Sequence, residues 1–282
     1  MHTTRFAPSP TGLLHLGHAF AALTAASAAD GGKFLLRIED LDLARAQPEF
    51  DAAIEEDLAW LGLSWQHPVL RQSTRLDAYQ AAVESLAVQG LLYPCFCTRR
   101  QIAAEIARAA EAPHPGDGPI YPGTCRNLTP QERAARISSG QSYAMRLDTV
   151  AASHRLGPLT FDEIGSGPAG QHGRIAANPG ALGDIVLTRR DAPAAYHLAV
   201  VIDDAFQGVS LVTRGNDLFV ATHAQRLLQA LLGLPEPRYA HHRLILDAAG
   251  SKLSKRQGPT TMRDLRARGW QIADVRRAVG LD

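Results

Sequence analysis

The sequence has few cysteines and no long apolar run. Three cysteines occur in the 282 residues. They cluster within residues 95–125, and an odd, clustered set argues against a disulfide framework. No run of about 18 apolar residues occurs, so a membrane-spanning helix is not expected. The N-terminus lacks the apolar segment of a secretory signal peptide. We therefore expect a cytoplasmic protein without a membrane partner.

A strong charge of either sign is also missing. Charged residues make up 20% of the chain and the formal net charge is +1, so bulk charge does not indicate a nucleic-acid binder. A basic surface would have to be local, and arginine-rich stretches occur near 98–108, 131–136 and 263–277. An arginine-rich stretch of this kind is more often the solvent-exposed face of a helix than a nucleic-acid-binding surface. The 45% of hydrophobic residues suits one or two globular domains with a sizeable core.

The first 38 residues predict a βαβ unit. Residues 3–8 have the pattern of a short buried strand, 18–29 are alanine-rich and favour a helix, and 33–38 again suit a strand. Such a unit is expected to be parallel and right-handed. Phosphates bind in these units at the helix N-terminus, just past the carboxyl end of the strand.

Further elements follow from periodicity and turn residues. Helices are predicted at residues 48–62, 75–90, 218–232 and from 262 onward. Strands are predicted at residues 142–147, 159–162, 185–188 and 209–212. A loop is predicted at 168–180. Residues 91–123 suggest an insertion, because they hold Cys95 and Cys97 and a loop at 113–119 that is too rich in Pro and Gly for regular structure.

Two short segments predict a nucleotide site. The first is Pro8-Ser-Pro-Thr-Gly-Leu-Leu-His15-Leu-Gly17-His18, and the second is Ser251-Lys252-Leu-Ser-Lys255-Arg256. His15 and His18 share one face at a helix start, and Gly17 lets a ligand approach the backbone. Imidazoles and unpaired helix N–H groups can together hold phosphates. Without the surrounding motif, two histidines at this spacing would more often belong to an ordinary turn with no ligand.

Five segments in order resemble the glutamyl-tRNA synthetases, a class I family. They are Arg5-Phe-Ala-Pro-Ser-Pro-Thr-Gly-Leu-Leu-His-Leu-Gly-His18, Arg37-Ile-Glu-Asp-Leu-Asp42, Tyr196-His-Leu-Ala-Val-Val-Ile-Asp-Asp204, Val212-Thr-Arg-Gly-Asn-Asp217 and Ser251–Arg256. The first resembles the HIGH signature and the last the KMSKS signature. The resemblance spans nearly the whole chain. It implies an α/β fold, a Rossmann-type class I synthetase catalytic domain that uses ATP with Mg²⁺.

The same resemblance implies how the chain is divided. Residues 1–90 would form the first half of the catalytic domain, and 91–180 an insertion of the acceptor type that bears a zinc site. Residues 181–256 would form the second half, and 257–282 a short helical C-terminal extension. Since so little chain follows the second signature, no anticodon-binding domain is expected.

The resemblance also assigns roles to single residues. The catalytic residues would be His15, His18, Lys252 and Lys255, which stabilise the charge that grows on the departing pyrophosphate. The ATP-binding residues would be Thr11, Gly17, His15, His18 and Lys255. The glutamate-binding residues would be Arg5, Phe6, Ala7, Pro8, Ser9, Glu39, Tyr196 and Arg214.

The charges of the last set suit glutamate. Arg5 and Arg214 can each form a forked pair with a carboxylate, and Glu39 suits the ammonium group. Tyr196 can add a hydroxyl hydrogen bond. Glutamine would leave one arginine without its counter-charge. Which arginine takes the side-chain carboxylate stays open. Val200 stands where the full-length family usually has asparagine, so one polar contact is expected to be missing.

The cysteine pattern predicts a zinc site. Cys95-Phe-Cys97 is followed by Tyr121-Pro-Gly-Thr-Cys125, and zinc prefers four ligands in a tetrahedron. General chemistry favours His114 as the fourth ligand, since tyrosine is uncommon. The pattern resembles Cys-x-Cys…Tyr-x3-Cys of the short glutamyl-tRNA-synthetase-like family, the glutamyl-queuosine tRNA(Asp) synthetases. This resemblance favours Tyr121 and one closed, structural zinc site.

The resemblance to the short family implies activation of L-glutamate with ATP and transfer to queuosine in the anticodon loop of tRNA(Asp). Local arginines and exposed aromatic side chains would bind the unstacked loop. Two alternatives stay open. One is a truncated synthetase that charges tRNA(Glu), and the other is a non-catalytic regulatory module, which the presence of both signatures disfavours. A monomer is expected, because no long heptad repeat or apolar patch occurs.

Overall fold

A parallel βαβ unit opens the chain, as predicted. The computed structural model describes residues 1–98, 100–102, 120–189, 194–246, 253 and 260–281. Strand β1 (Thr3–Phe6) leads to helix α1 (Leu16–Ala28) and strand β2 (Lys33–Ile38). The two strands pair in parallel over their common length. Helix α1 ends before Asp30, whose φ of 50° reverses the chain.

The other elements alternate along the chain. The further helices are α2 (Pro48–Trp60), α3 (Leu76–Val88), α4 (Pro130–Ser138), α5 (Thr149–Leu156), α6 (Tyr196–Phe206), α7 (Phe219–Leu231), α8 (Met262–Ala267) and α9 (Ile272–Ala278). The further strands are β3 (Gln66–Arg71), β4 (Leu92–Cys95), β5 (Ala144–Leu147), β6 (Thr160–Glu163), β7 (Gly173–Ala176), β8 (Val186–Thr188), β9 (Leu211–Gly215) and β10 (Arg238–His242). No helix of the described part combines the length and apolar content needed to cross a bilayer.

Two sheets meet edge to edge between β1 and β9. The first has the order β1-β2-β3 and the second β7-β6-β10-β9. Ser210 N–H donates to the carbonyl of Thr3 at 3.0 Å, and the Arg5 side chain reaches the carbonyl of Thr213 at 3.2 Å. The two strands therefore run in the same direction. The resulting order, β3-β2-β1-β9-β10-β6, is doubly wound, and its switch point lies between β1 and β9.

A third, antiparallel sheet carries the cysteine region. Its order is β4-β5-β8, and β4 ends at Cys95. The domain boundaries expected at residues 90, 180 and 256 stay predictions. The loop predicted at 168–180 is wrong in one part, because β7 forms there and pairs antiparallel with β6. An edge strand of this length needs only one partner, so it left no apolar alternation to find.

Three further strands, β3, β4 and β10, had no prediction. Pro68 interrupts β3 and histidines occupy the end of β10, and both residue types weaken the signal of a strand. The helical C-terminal extension is confirmed. Its residues Met262, Leu265 and Val275 are buried in one core cluster with α1 and the first sheet.

A buried carboxylate fixes α6 to the segment before α3. Asp203 is fully buried and accepts hydrogen bonds from Gln72 Nε2 at 2.9 Å, Arg75 Nε at 2.7 Å and Tyr79 Oη at 2.8 Å. Burial, the charge of Asp203 and its hydrogen bond all raise the pKa of Tyr79. The tyrosine therefore stays a donor, and α6 is held in one position.

The substitution Asp203→Asn should lower the free energy of unfolding by about 3 kcal/mol, because it leaves the Arg75 charge without its buried partner. Urea denaturation followed by circular dichroism measures the change. The control is Asp162→Asn, which breaks the exposed pair with Arg174 and should cost less than about 1 kcal/mol. Equal losses in the two variants would contradict this assignment.

Candidate active site

A cavity of about 460 Å³ opens at the switch point between β1 and β9. Its wall includes every described residue that the sequence predicted to bind glutamate or ATP, namely Arg5, Phe6, Ala7, Pro8, Ser9, Thr11, His15, Gly17, His18, Glu39, Tyr196 and Arg214. They come from the carboxyl ends of β1, β2 and β9 and from the first turns of α1 and α6. Residues far apart in sequence thus surround one cavity.

The two histidines cap helix α1 reciprocally. Gly17 N–H donates to Nδ1 of His15 at 3.1 Å, and His15 N–H donates to Nδ1 of His18 at 3.2 Å. Because each Nδ1 accepts, a neutral ring carries its proton on Nε2. A Cβ at position 17 would lie 3.0 Å from the His15 ring, so glycine suits this position. The start of α1 thus combines two imidazole donors with helix N–H groups.

The second signature lies largely outside the described residues, and Lys252 and Lys255 are among those outside. Three described residues in or just after the second signature contact either the cavity or the first signature. Leu253 lines the cavity. Thr261 forms a β-bridge with His15, and Met262 N–H donates to the carbonyl of Leu14 at 2.8 Å.

A buried ion cluster forms one wall of the cavity. Asp204 accepts from Arg5 Nε at 2.9 Å and from Arg37 Nη1 at 2.7 Å. Burial raises the pKa of Asp204, but the two arginines outweigh it and hold the pKa below its usual value. Arg37 also donates to Glu39 at 3.3 Å. The charge of Arg5 is therefore already compensated by the protein.

Glu39 lies at the edge of this cluster and lines the cavity. Burial raises the pKa of its carboxyl group, and Arg37 and Arg5 offset that increase only in part. A cation that entered the cavity would add a favourable charge interaction and lower this pKa again. Glu39 is therefore suited to receive an ammonium group.

Arg214 is held differently, by neutral acceptors. Its guanidinium donates to His241 Nε2 at 3.1 Å, to Gln225 Oε1 at 2.8 Å and to Thr222 Oγ1 at 2.6 Å. Its side chain is buried. No carboxylate pairs with it within the part of the chain that the structure describes. An anion in the cavity would compensate this buried charge.

Two aromatic residues begin helix α6, and of these Tyr196 lines the cavity whereas His197 does not. The Tyr196 hydroxyl lies 3.5 Å from Arg214 Nη1. Burial and the nearby Arg214 lower the pKa of His197 to about 4, so this ring is neutral at pH 7. Val200, where a polar contact was expected to be missing, is buried in the core and is not part of the cavity wall.

The three cysteines form one cluster. Their Sγ atoms all lie within 4.8 Å of one another, and Cys97 Sγ lies 3.5 Å from Cys125 Sγ and 3.7 Å from the Tyr121 hydroxyl. This cluster is consistent with a metal site, as the sequence predicted. His114, the alternative fourth ligand, lies outside the described residues.

Sequence reasoning missed the partners of the two arginines. Asp204 and Arg37 were quoted within motifs but had no assigned role, and Glu163 and His241 had none either. A signal existed for the first pair: a charged residue within an apolar helix or strand needs a buried partner. No sequence pattern indicated the role of Glu163 and His241, since only the pairing of the strands brings these two residues close to Arg214.

Comparison with known proteins agrees with this site. The family of class I tRNA synthetases (E and Q), catalytic domain, matches residues 2–279. The glutamyl-Q tRNA(Asp) synthetase of Rhodobacter capsulatus is 49% identical over 286 residues, which cover 99% of this chain and 99% of the relative. That of Symbiobacterium thermophilum is 42% identical, with 94% of this chain and 81% of the relative covered.

A solved structure agrees as well. The glutamate-tRNA synthetase of Elizabethkingia anophelis matches with a TM-score of 0.74 and 29% identity, over 95% of this chain and 54% of that one. The chain thus spans about half the length of that synthetase. The full-length relatives and the matched family together identify the chain: it belongs to the glutamyl-Q tRNA(Asp) synthetases, within the class I tRNA synthetases for E and Q.

Proposed function

We propose that this chain activates L-glutamate with ATP and transfers the glutamyl group to queuosine in the anticodon loop of tRNA(Asp). The observation that carries the proposal is the cavity at the β1–β9 switch point, which holds all the described residues expected to bind glutamate and ATP. The acceptor follows from the relatives, since a glutamyl-Q tRNA(Asp) synthetase is 49% identical over the full length.

Glutamate binding uses the unequal charges of the cavity. Arg214 meets no protein carboxylate within the described residues, so it binds a carboxylate of the substrate. Glu39 receives the ammonium group, and the Tyr196 hydroxyl adds a hydrogen bond beside Arg214. Arg5 lines the same wall, but its guanidinium already donates two hydrogen bonds to Asp204. Glutamine would leave the buried Arg214 charge uncompensated, so glutamate is preferred.

Activation needs no protein nucleophile. A carboxylate oxygen of glutamate attacks the α-phosphorus of ATP, the bond to the bridging oxygen breaks, and pyrophosphate leaves with its electrons, while Mg²⁺ enters with ATP as substrate. His15 and His18 supply Nε2–H donors at the start of α1. Lys252 and Lys255 of the second signature add positive charge on the phosphates. These donors stabilise the charge that develops on the leaving group.

A zinc ion held by Cys95, Cys97, Cys125 and Tyr121 suits the cysteine cluster. The thiols already lie within 4.8 Å of one another. The Tyr121 oxygen accepts a hydrogen bond from Cys125 N–H at 2.8 Å, and the Arg146 guanidinium lies 3.9 Å from the centre of its ring. Burial and the neighbouring thiols raise the pKa of Tyr121, and the hydrogen bond from Cys125 N–H opposes this only in part. A bound cation would favour the phenolate, which is the form that binds metal. Four protein ligands make this a structural site.

The acceptor is tested by charging assays with radioactive glutamate. Native tRNA(Asp) that contains queuosine should accept glutamate, because the proposed acceptor is the modified base. The matched control is tRNA(Asp) from cells that lack queuosine, which should accept none. Charging of unmodified tRNA(Glu) would instead support a synthetase that acts on the tRNA 3′ end.

The Arg214→Gln variant tests the glutamate site. We expect the kcat/KM for glutamate in ATP–pyrophosphate exchange to fall by about a hundredfold, since a charged hydrogen bond contributes about 3 kcal/mol. The KM for ATP should change little. Arg226→Gln is the control, because Arg226 pairs with Glu236 away from the cavity. An unchanged glutamate KM in Arg214→Gln would refute the assigned role.

Two variants decide the fourth zinc ligand. The purified protein should contain about one zinc per chain, and Cys97→Ser should lose it and melt at a lower temperature. Tyr121→Phe keeps the ring but removes the ligand oxygen, so its zinc should be lost to a chelator faster than that of the native protein. His114→Ala should behave like the native protein, and the reverse ranking of these two variants would assign the ligand to His114.

A further inference from the structure

Arg214 is the first member of a hydrogen-bond chain that leads away from the cavity. Its Nε donates to Nε2 of His241 at 3.1 Å, and Nδ1 of His241 lies 2.5 Å from Oε2 of Glu163. The side chains of His241 and Glu163 are fully buried. Neither residue lines the cavity. Any effect on the substrate must therefore pass through Arg214.

The direction of these hydrogen bonds determines the tautomer of His241. A guanidinium can only donate, so Nε2 of His241 accepts and Nδ1 carries the proton that goes to Glu163. Burial lowers the pKa of His241, and the hydrogen bond to Glu163 opposes this only in part. The ring is therefore neutral at pH 7. A proton on Nε2 would point at the N–H of Arg214 and break the chain.

Glu163 is held as an acceptor by the backbone. Its Oε1 accepts from His241 N–H at 2.9 Å and from Gly165 N–H at 2.8 Å. Burial raises the pKa of Glu163, but the hydrogen bond from the His241 side chain and the two backbone hydrogen bonds outweigh it and leave the pKa below its usual value. A Cβ at Gly165 would lie 2.4 Å from the carbonyl oxygen of His241. Glycine thus permits the close approach that fixes Glu163.

The sheet places the three residues in a row. Strand β10 lies between β6 and β9, and its register sets His241 beside Arg214 and Tyr239 beside Glu163. The imidazole therefore separates the Glu163 carboxylate from the guanidinium. This differs from Arg5, which Asp204 contacts directly. A neutral acceptor orients Arg214 without pairing its charge.

We propose that Glu163 and His241 are positioning residues that orient Arg214 through a neutral imidazole and so reserve its charge for a substrate carboxylate. The proposal rests on the glutamate activation proposed above. A purely structural alternative is that the pair only joins β6 to β10. The two differ in one respect: a structural link affects stability, whereas a positioning pair affects the KM for glutamate.

The test is Glu163→Gln, which keeps the size of the side chain. The amide has one oxygen, so it cannot accept from His241 Nδ1–H and from both backbone N–H groups at once. Either its NH₂ group then faces one of these N–H donors, or His241 changes tautomer. In ATP–pyrophosphate exchange we expect the KM for glutamate to rise about tenfold or more. The kcat and the KM for ATP should stay within about twofold.

Three controls accompany this variant. His223→Gln replaces a neighbouring histidine that contacts Asn178 N–H and not Arg214, and it should leave the glutamate KM unchanged. His241→Gln can keep an acceptor near the Nε2 position, so its KM should rise less than that of His241→Leu. Equal glutamate KM values for native protein, Glu163→Gln and His241→Leu, with lower melting temperatures, would overturn the proposal in favour of the structural link.

A spectroscopic measurement on the native chain does not depend on folded variants or on activity. The ¹⁵N shifts of His241, assigned with His241→Gln, should show a neutral ring with Nδ1 protonated and Nε2 unprotonated at pH 7. A ring that is protonated on Nε2 overturns the positioning role. If the native chain shows no glutamate-dependent exchange, the proposed function is wrong. The ¹⁵N measurement of the His241 tautomer then still tests the hydrogen-bond arrangement around Arg214.

Discussion

The active-site wall depends on one buried carboxylate between two buried arginines. Asp204 pairs with Arg5 from β1 and with Arg37 from β2, and Glu39 gives Arg37 a second carboxylate. Neither arginine could be buried without Asp204. This requirement places the last turn of α6 against the carboxyl ends of both strands. Its neighbour Asp203 is tied to the segment before α3 on the other side. One turn of helix therefore sets the distance between two parts of the catalytic domain.

The two arginines of the cavity differ in how their charge is balanced. Arg5 has a protein carboxylate and contributes little net charge to the cavity. Arg214 is surrounded by hydroxyl, amide and imidazole acceptors. A buried cation without a counter-charge is unfavourable until an anion arrives, which supports the proposal that Arg214 binds a substrate carboxylate. Under that proposal, a cavity with two arginines distinguishes a carboxylate from an amide through Arg214 alone.

The side of the cavity that is proposed to bind ATP is built from chain segments that are distant in sequence. His15 and His18 form a reciprocal cap at the start of α1, which sets their tautomers. Thr261 bridges to His15, and α8 and α9 pack in the same core as α1. The last described helices therefore anchor the chain that follows the second signature to the first signature. The cysteine cluster lies on a separate antiparallel sheet.

The sequence by itself determined the features that depend on neighbouring residues. These are the first βαβ unit, the helices predicted at 48–62, 75–90 and 218–232 and the cysteine spacing, because helix and strand periods and turn residues act over short distances. Only the tertiary structure decided the charge partners, since Arg5 and Asp204 are 199 residues apart and His241 and Glu163 are 78 apart. Strand order and register bring these groups together, and no local pattern in the chain encodes which arginine is left for the substrate.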